Sequence, residues 1–180
     1  MSLLEHITSH PDWPAPGVVF RDLNPIYRDP GLMAEAAVEL ARVARSVSPD
    51  GDGNFDLVVA PEARGFILGP MLAREIGAGF VPVRKPEKLP RPVHSHDFEL
   101  EYGTESLEIG AAESLAAAGP VLIYDDVLAT GGTATATARL VEALDGTPAA
   151  FAFLLELEPL GGRAALAEAT GLPVGAALID

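Results

Sequence analysis

The chain has 180 residues, with 26 acidic against 12 basic side chains and no cysteine. Its formal charge of −14 repels polyanions and argues against a nucleic-acid binder, which needs a basic stripe to neutralise phosphates. Without cysteine there is no disulfide or thiolate chemistry, and four histidines alone are a poor basis for a structural zinc site. The length fits one domain, residues 1-180, large enough to bury a sizeable core. Although 48% of the residues are apolar, charges, Gly or Pro interrupt every run before the ~20 residues that a spanning helix needs. The start, MSLLEHITSH, lacks a basic region followed by an apolar core, so no signal peptide and no membrane contact are expected, and the expected location is cytoplasmic.

In chain order, the segment from Pro11 to Pro25 holds Pro11, Pro14, Pro16 and Pro25 and reads as extended and irregular. Apolar residues at helical spacing predict a helix over Gly31–Val47, with Leu32, Ala36, Leu40 and Val43 on one face. SPDGDGN follows as a loop, then FDLVVA (Phe55–Ala60) as a short buried strand. A helix is predicted over Gly65–Ile76 and the next strand over Phe80–Arg84. Residues 85–97 read as a long polar loop broken by proline, the kind that tends to be functional. Phe98–Tyr102 and Ser106–Ile109 alternate and predict a hairpin across Gly103-Thr104. Further strands are predicted at Val121–Asp126, Ala149–Leu155 and Val174–Ile179, separated by helices at Thr133–Leu144 and Arg163–Ala169. Strands that alternate with helices imply an α/β fold with a mostly parallel central sheet covered on both faces. Ligands of such sheets bind beyond the C-terminal strand ends, which here carry Pro61–Arg64, Arg84-Lys85 and Asp125-Asp126.

The run VLIYDDVLATGGTATA, Val121–Ala136, is the most informative in the chain. A buried strand ends in two carboxylates, Asp125 and Asp126, and a turn Ala129-Thr130-Gly131-Gly132-Thr133 leads into a helix. Backbone N–H groups and a positive helix N-terminus around one small volume suit a phosphate. Two carboxylates at the same mouth suit ribose hydroxyls or a metal held by oxygen ligands. The glycines are not a Walker loop, since no lysine follows them, and the G-x-G-x-x-G spacing of a dinucleotide site is absent. A second concentration of charge is Arg84, Lys85, Lys88 and Arg91, four of the twelve basic residues and both of the lysines. On an acidic protein this cluster fits a small polyanion such as pyrophosphate better than a solvated surface run.

Strand, acidic pair and ATGGT turn resemble the phosphoribosyl-diphosphate (PRPP) motif of the type I phosphoribosyltransferases. PGVVFRDLNP (Pro16–Pro25), ARGF (Ala63–Phe66), RKPEKLP (Arg84–Pro90) and LEYG (Leu100–Gly103) stand in the order seen in the adenine phosphoribosyltransferases. The similarity runs from about residue 11 to residue 165. It implies the type I phosphoribosyltransferase fold, with a small N-terminal hood over about residues 1-30 and a flexible catalytic loop over about 85-100. It further implies a purine salvage reaction, adenine plus PRPP giving AMP plus pyrophosphate, with Mg²⁺ and a homodimer. Other readings within reach are a phosphoribosyltransferase for another 6-substituted purine and a PRPP-sensing regulator without catalysis. A regulator would need a DNA-binding N-terminal domain and a basic face, whereas predicted elements begin near residue 31 and the charge is −14.

Residue by residue, the resemblance assigns the 5′-phosphate to Ala129, Thr130, Gly131, Gly132 and Thr133, and the ribose hydroxyls to Asp125 and Asp126. The leaving pyrophosphate falls to Arg64, Arg84, Lys85 and Lys88, with Mg²⁺ held mainly by PRPP and water, so the metal's protein ligands stay open. Pro61–Arg64 resembles the pyrophosphate loop in which a cis peptide is common. Adenine is expected against the ring of Phe20, its edge read by the backbone of Val19 and Arg21, with Leu157 closing the other side. Glu101 is the expected proton-handling group at adenine N7, and Tyr102 shapes the loop beside it. Where relatives often read GKLPG, this chain holds Glu87 and Arg91 in place of glycines, and VHSHD with His94 and His96 is also atypical and reads as polar loop.

Overall fold

Five parallel strands make the centre of the molecule, and the middle three are runs rich in Val, Ile, Leu, Ala and Phe too apolar to leave either face in water. The computed structural model describes residues 2–90, 92–100, 103–111 and 114–180. The sheet has the order β4 (Gly79–Val83), β3 (Leu57–Pro61), β7 (Pro120–Leu128), β8 (Thr147–Glu156), β9 (Val174–Ile179), and every pair is parallel. Side chains of β7 alternate between the two faces. Leu122 and Tyr124 pack toward α2 (Pro30–Val47) and α3 (Gly65–Ile76). Val121 and Ile123 pack toward the face covered by α4 (Gly132–Ala143) and α5 (Gly162–Thr170). Tyr124, Phe151, Phe153 and Leu122 are completely or almost completely buried, each worth ~1.5–3 kcal/mol of transfer free energy.

The helices begin and end where their chemistry dictates. Asp29 caps α2 by accepting the N–H groups of Gly31 and Leu32, and Pro30 supplies a first residue that has no donor to lose. The buried stripe of α2 is Ala36, Ala37, Leu40, Ala41, Ala44 and Val47, so Leu32 and Val43 sit at its border rather than in its centre. The other predicted helices and central strands stand within two residues of their expected limits at most positions.

Two segments differ from expectation. The proline-rich N-terminus is ordered into an antiparallel ribbon, β1 (Thr8–Pro11) with β2 (Val19–Asp22), followed by a single helical turn α1 (Asn24–Tyr27). Its prolines sit at a strand end and in the turn, where no ladder donor is required, and Trp13-Pro14 is cis. The turn is closed by Trp13 N–H to the Val18 carbonyl at 3.1 Å and Gly17 N–H to Asp12 at 2.7 Å. The second difference is the expected loop over 85–97. Strand β5 (Val93–Leu100) pairs with β6 (Gly103–Gly110), so the polar stretch from Val93 onward belongs to a ribbon. The apolar half of this pairing lies on the partner: His94 stands opposite Ile109 and His96 opposite Leu107, both of which are buried. Leu100 pairs with Gly103, which places Gly103 and Thr104 in β6 rather than in a turn.

Candidate active site

Strand β7 delivers Asp125 and the following turn to one cavity. Asp125, Ala129, Thr130, Gly131, Gly132 and Thr133 line it, with Phe153 at its side. Its volume of about 100 Å³ is well above the ~10–15 Å³ that admits one water. Gly131 precedes α4 with φ +90°, a left-handed conformation open to glycine without steric cost. No side chain caps this helix, so its first-turn N–H groups lack the partner that Ser, Thr or Asp would supply. The Thr135 N–H and hydroxyl both return to the Gly131 carbonyl, at 2.9 and 3.0 Å, and hold the turn shut against α4. From behind, the turn rests on α5, where a Cβ on Gly162 would lie 2.3 Å from the Ala129 carbonyl oxygen. An uncapped, positively polarised helix end facing a small cavity suits an anion.

The acidic pair divides by depth. Asp125 lines the cavity, and its Oδ1 accepts the Asp126 N–H at 2.9 Å. Asp126 is only 1% exposed, and its Oδ2 accepts from the Tyr27 hydroxyl at 3.2 Å and forms an ion pair with Arg64 Nε at 3.0 Å. Burial pushes the Asp125 carboxyl well above its ordinary value, and the Asp126 charge beside it adds to this. Burial also raises Asp126, against the opposing pull of the Arg64 guanidinium. Tyr124, two residues earlier on β7, has a fully buried hydroxyl without a hydrogen-bond partner among the described residues.

The cations are held by specific carboxylates. Arg64 immediately precedes α3, after the cis peptide Glu62–Ala63. Arg84 pairs through Nε with Glu62, and its guanidinium lies 5.7 Å from the ring centre of Phe66. Burial pushes the Glu62 carboxyl up, but the Arg84 hydrogen bond, the Lys85 backbone N–H and the charges of Arg84 and Lys88 together outweigh it and hold the carboxyl below the usual range. Lys85 stands 4.0 Å from Glu105, and Lys88 is exposed, its charge felt at Glu62. The backbone of Arg84 is bracketed by Glu108, with N–H to carbonyl bonds of 2.8 and 2.7 Å in both directions. Glu87 has φ +66°, the conformation a glycine would take freely, and its N–H donates to Glu108 Oε2 at 3.1 Å. Arg91 lies outside the described residues.

On the opposite side of Arg64 stands the N-terminal ribbon. The Arg64 guanidinium is 5.6 Å from the centre of the Phe20 ring, and Trp13 meets that ring edge-on at 4.6 Å. Arg64 therefore joins Phe20 to Asp126. The Arg21 side chain turns away, to Asp180 and to Ser9 Oγ, which leaves its backbone in β2 beside the exposed Val19. Leu157 is tied to the end of β7 by its N–H bond to the Leu128 carbonyl at 2.9 Å. Glu101 and Tyr102 lie outside the described residues. The fold thus gathers the Asp125–Thr133 turn, Arg64 and Phe20, and sets Arg84 with Glu62 at the neighbouring strand end. Tyr27, Trp13 and Glu108 enter the site without any signal in their local sequence, since only the tertiary contacts bring them there.

The model of the phosphoribosyl transferase domain matches residues 33–159. The adenine phosphoribosyltransferase of Synechococcus sp. (strain CC9605) is 51% identical over 99% of this chain and 98% of its own length. The crystal structure of adenine phosphoribosyltransferase from Thermoanaerobacter pseudethanolicus superposes with a TM-score of 0.88 at 42% identity, over 99% of this chain and 100% of that one. The Saccharomyces cerevisiae enzyme, crystallised with an imino-altritol bisphosphate and adenine, gives a TM-score of 0.86 at 35% identity, over 98% and 96% of the two chains. With its strand-end turn, acidic pair and ribbon in place, this chain belongs to the phosphoribosyl transferase domain family, among the adenine phosphoribosyltransferases.

Proposed function

We propose that this chain transfers the 5-phosphoribosyl group of PRPP to adenine, forming the C1′–N bond as the bond from C1′ to pyrophosphate breaks, and releases AMP. The observation that carries the assignment of roles is the uncapped turn Ala129–Thr133 beside Asp125, joined through Arg64 to the aromatic ring of Phe20. The turn's N–H groups and the Thr130 and Thr133 hydroxyls hold the 5′-phosphate, while Asp125 and Asp126 take the ribose hydroxyls. Anchoring both ends of the ribose near the base converts the encounter of two substrates into a positioned reaction.

Charge on the departing pyrophosphate is met by Arg64, Arg84, Lys85 and Lys88, with Arg84 and Lys85 exchanging Glu62 and Glu105 for substrate oxygens while Arg64 keeps its ion pair with Asp126. Phe20 stacks on adenine, the backbone of Val19 and Arg21 reads its edge, and Leu157 closes the far side. Glu101 handles the N7 proton, with Tyr102 beside it. Mg²⁺ fits this site as a partly hydrated ion: no three His, Cys, Asp or Glu groups gather as a cage among the described residues, and the carboxylate that lines the cavity is Asp125. When bound, it neutralises pyrophosphate oxygens. Membership of the family supports a cytoplasmic homodimer, and among the described residues no helix is long and apolar enough to cross a membrane.

The test is purified protein with Mg²⁺, PRPP and adenine, hypoxanthine or xanthine in turn, monitored for nucleotide and pyrophosphate. AMP and pyrophosphate in equal amounts from adenine are expected; no AMP would overturn the assignment.

A further inference from the structure

Tyr27 lies outside every motif of the sequence, yet its hydroxyl reaches the most buried acid of the site. It donates to Asp126 Oδ2 at 3.2 Å, the same oxygen that takes Arg64 Nε at 3.0 Å. A carboxylate that is 1% exposed needs such donors, because a buried anion left without them bears its full desolvation cost. The tyrosine serves as donor: burial first, and then the Asp126 charge, push its ionisation far above the ordinary value, so the proton stays on the hydroxyl. A hydroxyl donor and a guanidinium charge converging on one oxygen restrain the rotation of the carboxylate.

The reach of Tyr27 is set by the core. It ends the single turn α1, in which Ile26 is fully buried and the preceding Leu23 is 2% exposed. Asp22 Oδ1 accepts the Asn24 N–H at 2.9 Å, and the Arg28 N–H returns to the Asn24 carbonyl at 3.0 Å, so both ends of the turn are held. Tyr124 does not compete for the role, since its buried hydroxyl makes no hydrogen bond among the described residues.

We propose that Tyr27 is a positioning residue for PRPP binding: together with Arg64 it holds the Asp126 carboxylate in the orientation that receives the ribose. This rests on the placement of Asp126 in the PRPP site given above. Arg64 remains paired with the same oxygen when the hydroxyl is removed, so the effect of its loss is partial.

The experiment compares the parent protein with Tyr27→Phe, Asp126→Asn and the double variant. For each, PRPP affinity is read by calorimetry well below the melting temperature, so that a fall in stability alone cannot imitate the result, and the KM of each substrate and kcat are read by steady-state assay. Tyr27→Phe is expected to weaken PRPP binding roughly three- to tenfold, with adenine KM and kcat within about twofold of the parent. Asp126→Asn is expected to weaken PRPP binding more, and Tyr27→Phe to add nothing further in that background. Unchanged PRPP affinity in Tyr27→Phe, or a rise in adenine KM alone, overturns the proposal while leaving Asp126 in its place. An equal further loss in the Asp126→Asn background shows that Tyr27 acts by another route and also overturns it. Full PRPP affinity in Asp126→Asn overturns the placement of Asp126 itself.

Discussion

The turn after β7 and the N-terminal ribbon meet at Arg64, but they are built by different means. The turn presents backbone: Gly131 sits in the left-handed region, the helix behind it has no cap, and α5 presses against it through Gly162. It stands at the end of the central strand of the sheet, where Val121–Tyr124 are fully buried. The ribbon presents side chains. Two four-residue strands carry Phe20, with the exposed Trp13 in the turn between them, and Arg21 holds the ribbon to Asp180. A backbone site tolerates many side-chain changes and fails when the chain is displaced, whereas a side-chain site fails residue by residue.

The sharpest way to break this contrast is Gly162→Ala. A Cβ there would meet the Ala129 carbonyl oxygen at 2.3 Å, and overpacking of this kind costs ~1–3 kcal/mol. The strain is relieved by moving the turn Ala129–Thr133, so PRPP affinity should fall by more than about tenfold while adenine KM stays near the parent value. Calorimetry with PRPP and steady-state assays against adenine check both halves; equal losses for the two substrates would mean that turn and ribbon are not independent.

Phe20→Ala probes the other region. Stacking of a base on an aromatic ring is worth ~1–3 kcal/mol, and the ring here is only half-buried, so adenine KM should rise about five- to tenfold. PRPP affinity should hold, since the Arg64–Asp126 pair remains. Unaltered adenine KM would remove Phe20 from the base site.

The smallest effect is expected at the carboxylate that secures Arg84. Glu62 titrates below its ordinary range in the folded protein, so its contribution to stability is complete above the unfolded value and is lost as the pH falls through the folded one. Glu62→Gln should therefore be less stable than the parent by up to about 1 kcal/mol at neutral pH, with the gap closing toward strong acid. Urea unfolding across that range measures it, and a gap independent of pH would assign the loss to packing instead of charge.

The two regions also differ in how far the sequence foretold them. The Asp125–Thr133 turn was legible in full, because a local constraint, glycine at φ +90° between a buried strand and a helix, leaves a local pattern. The ribbon was not: its prolines suggested irregular chain, while its register depends on pairing His10 with Phe20 across a cis-proline turn. The second ribbon shows the same limit, since Val93–Leu100 becomes a strand only through Leu107 and Ile109 on its partner. Periodicity and glycine placement determined the parallel sheet, its helices and the turn before α4, for these arise from interactions within a few residues. Only the tertiary structure decided that Arg64 bridges Phe20 and Asp126, that Glu62 takes Arg84, and that Tyr27 reaches a carboxylate on β7. Those contacts join residues far apart in the chain, and a pairing of buried charge with its donors exists only once the sheet has brought them together.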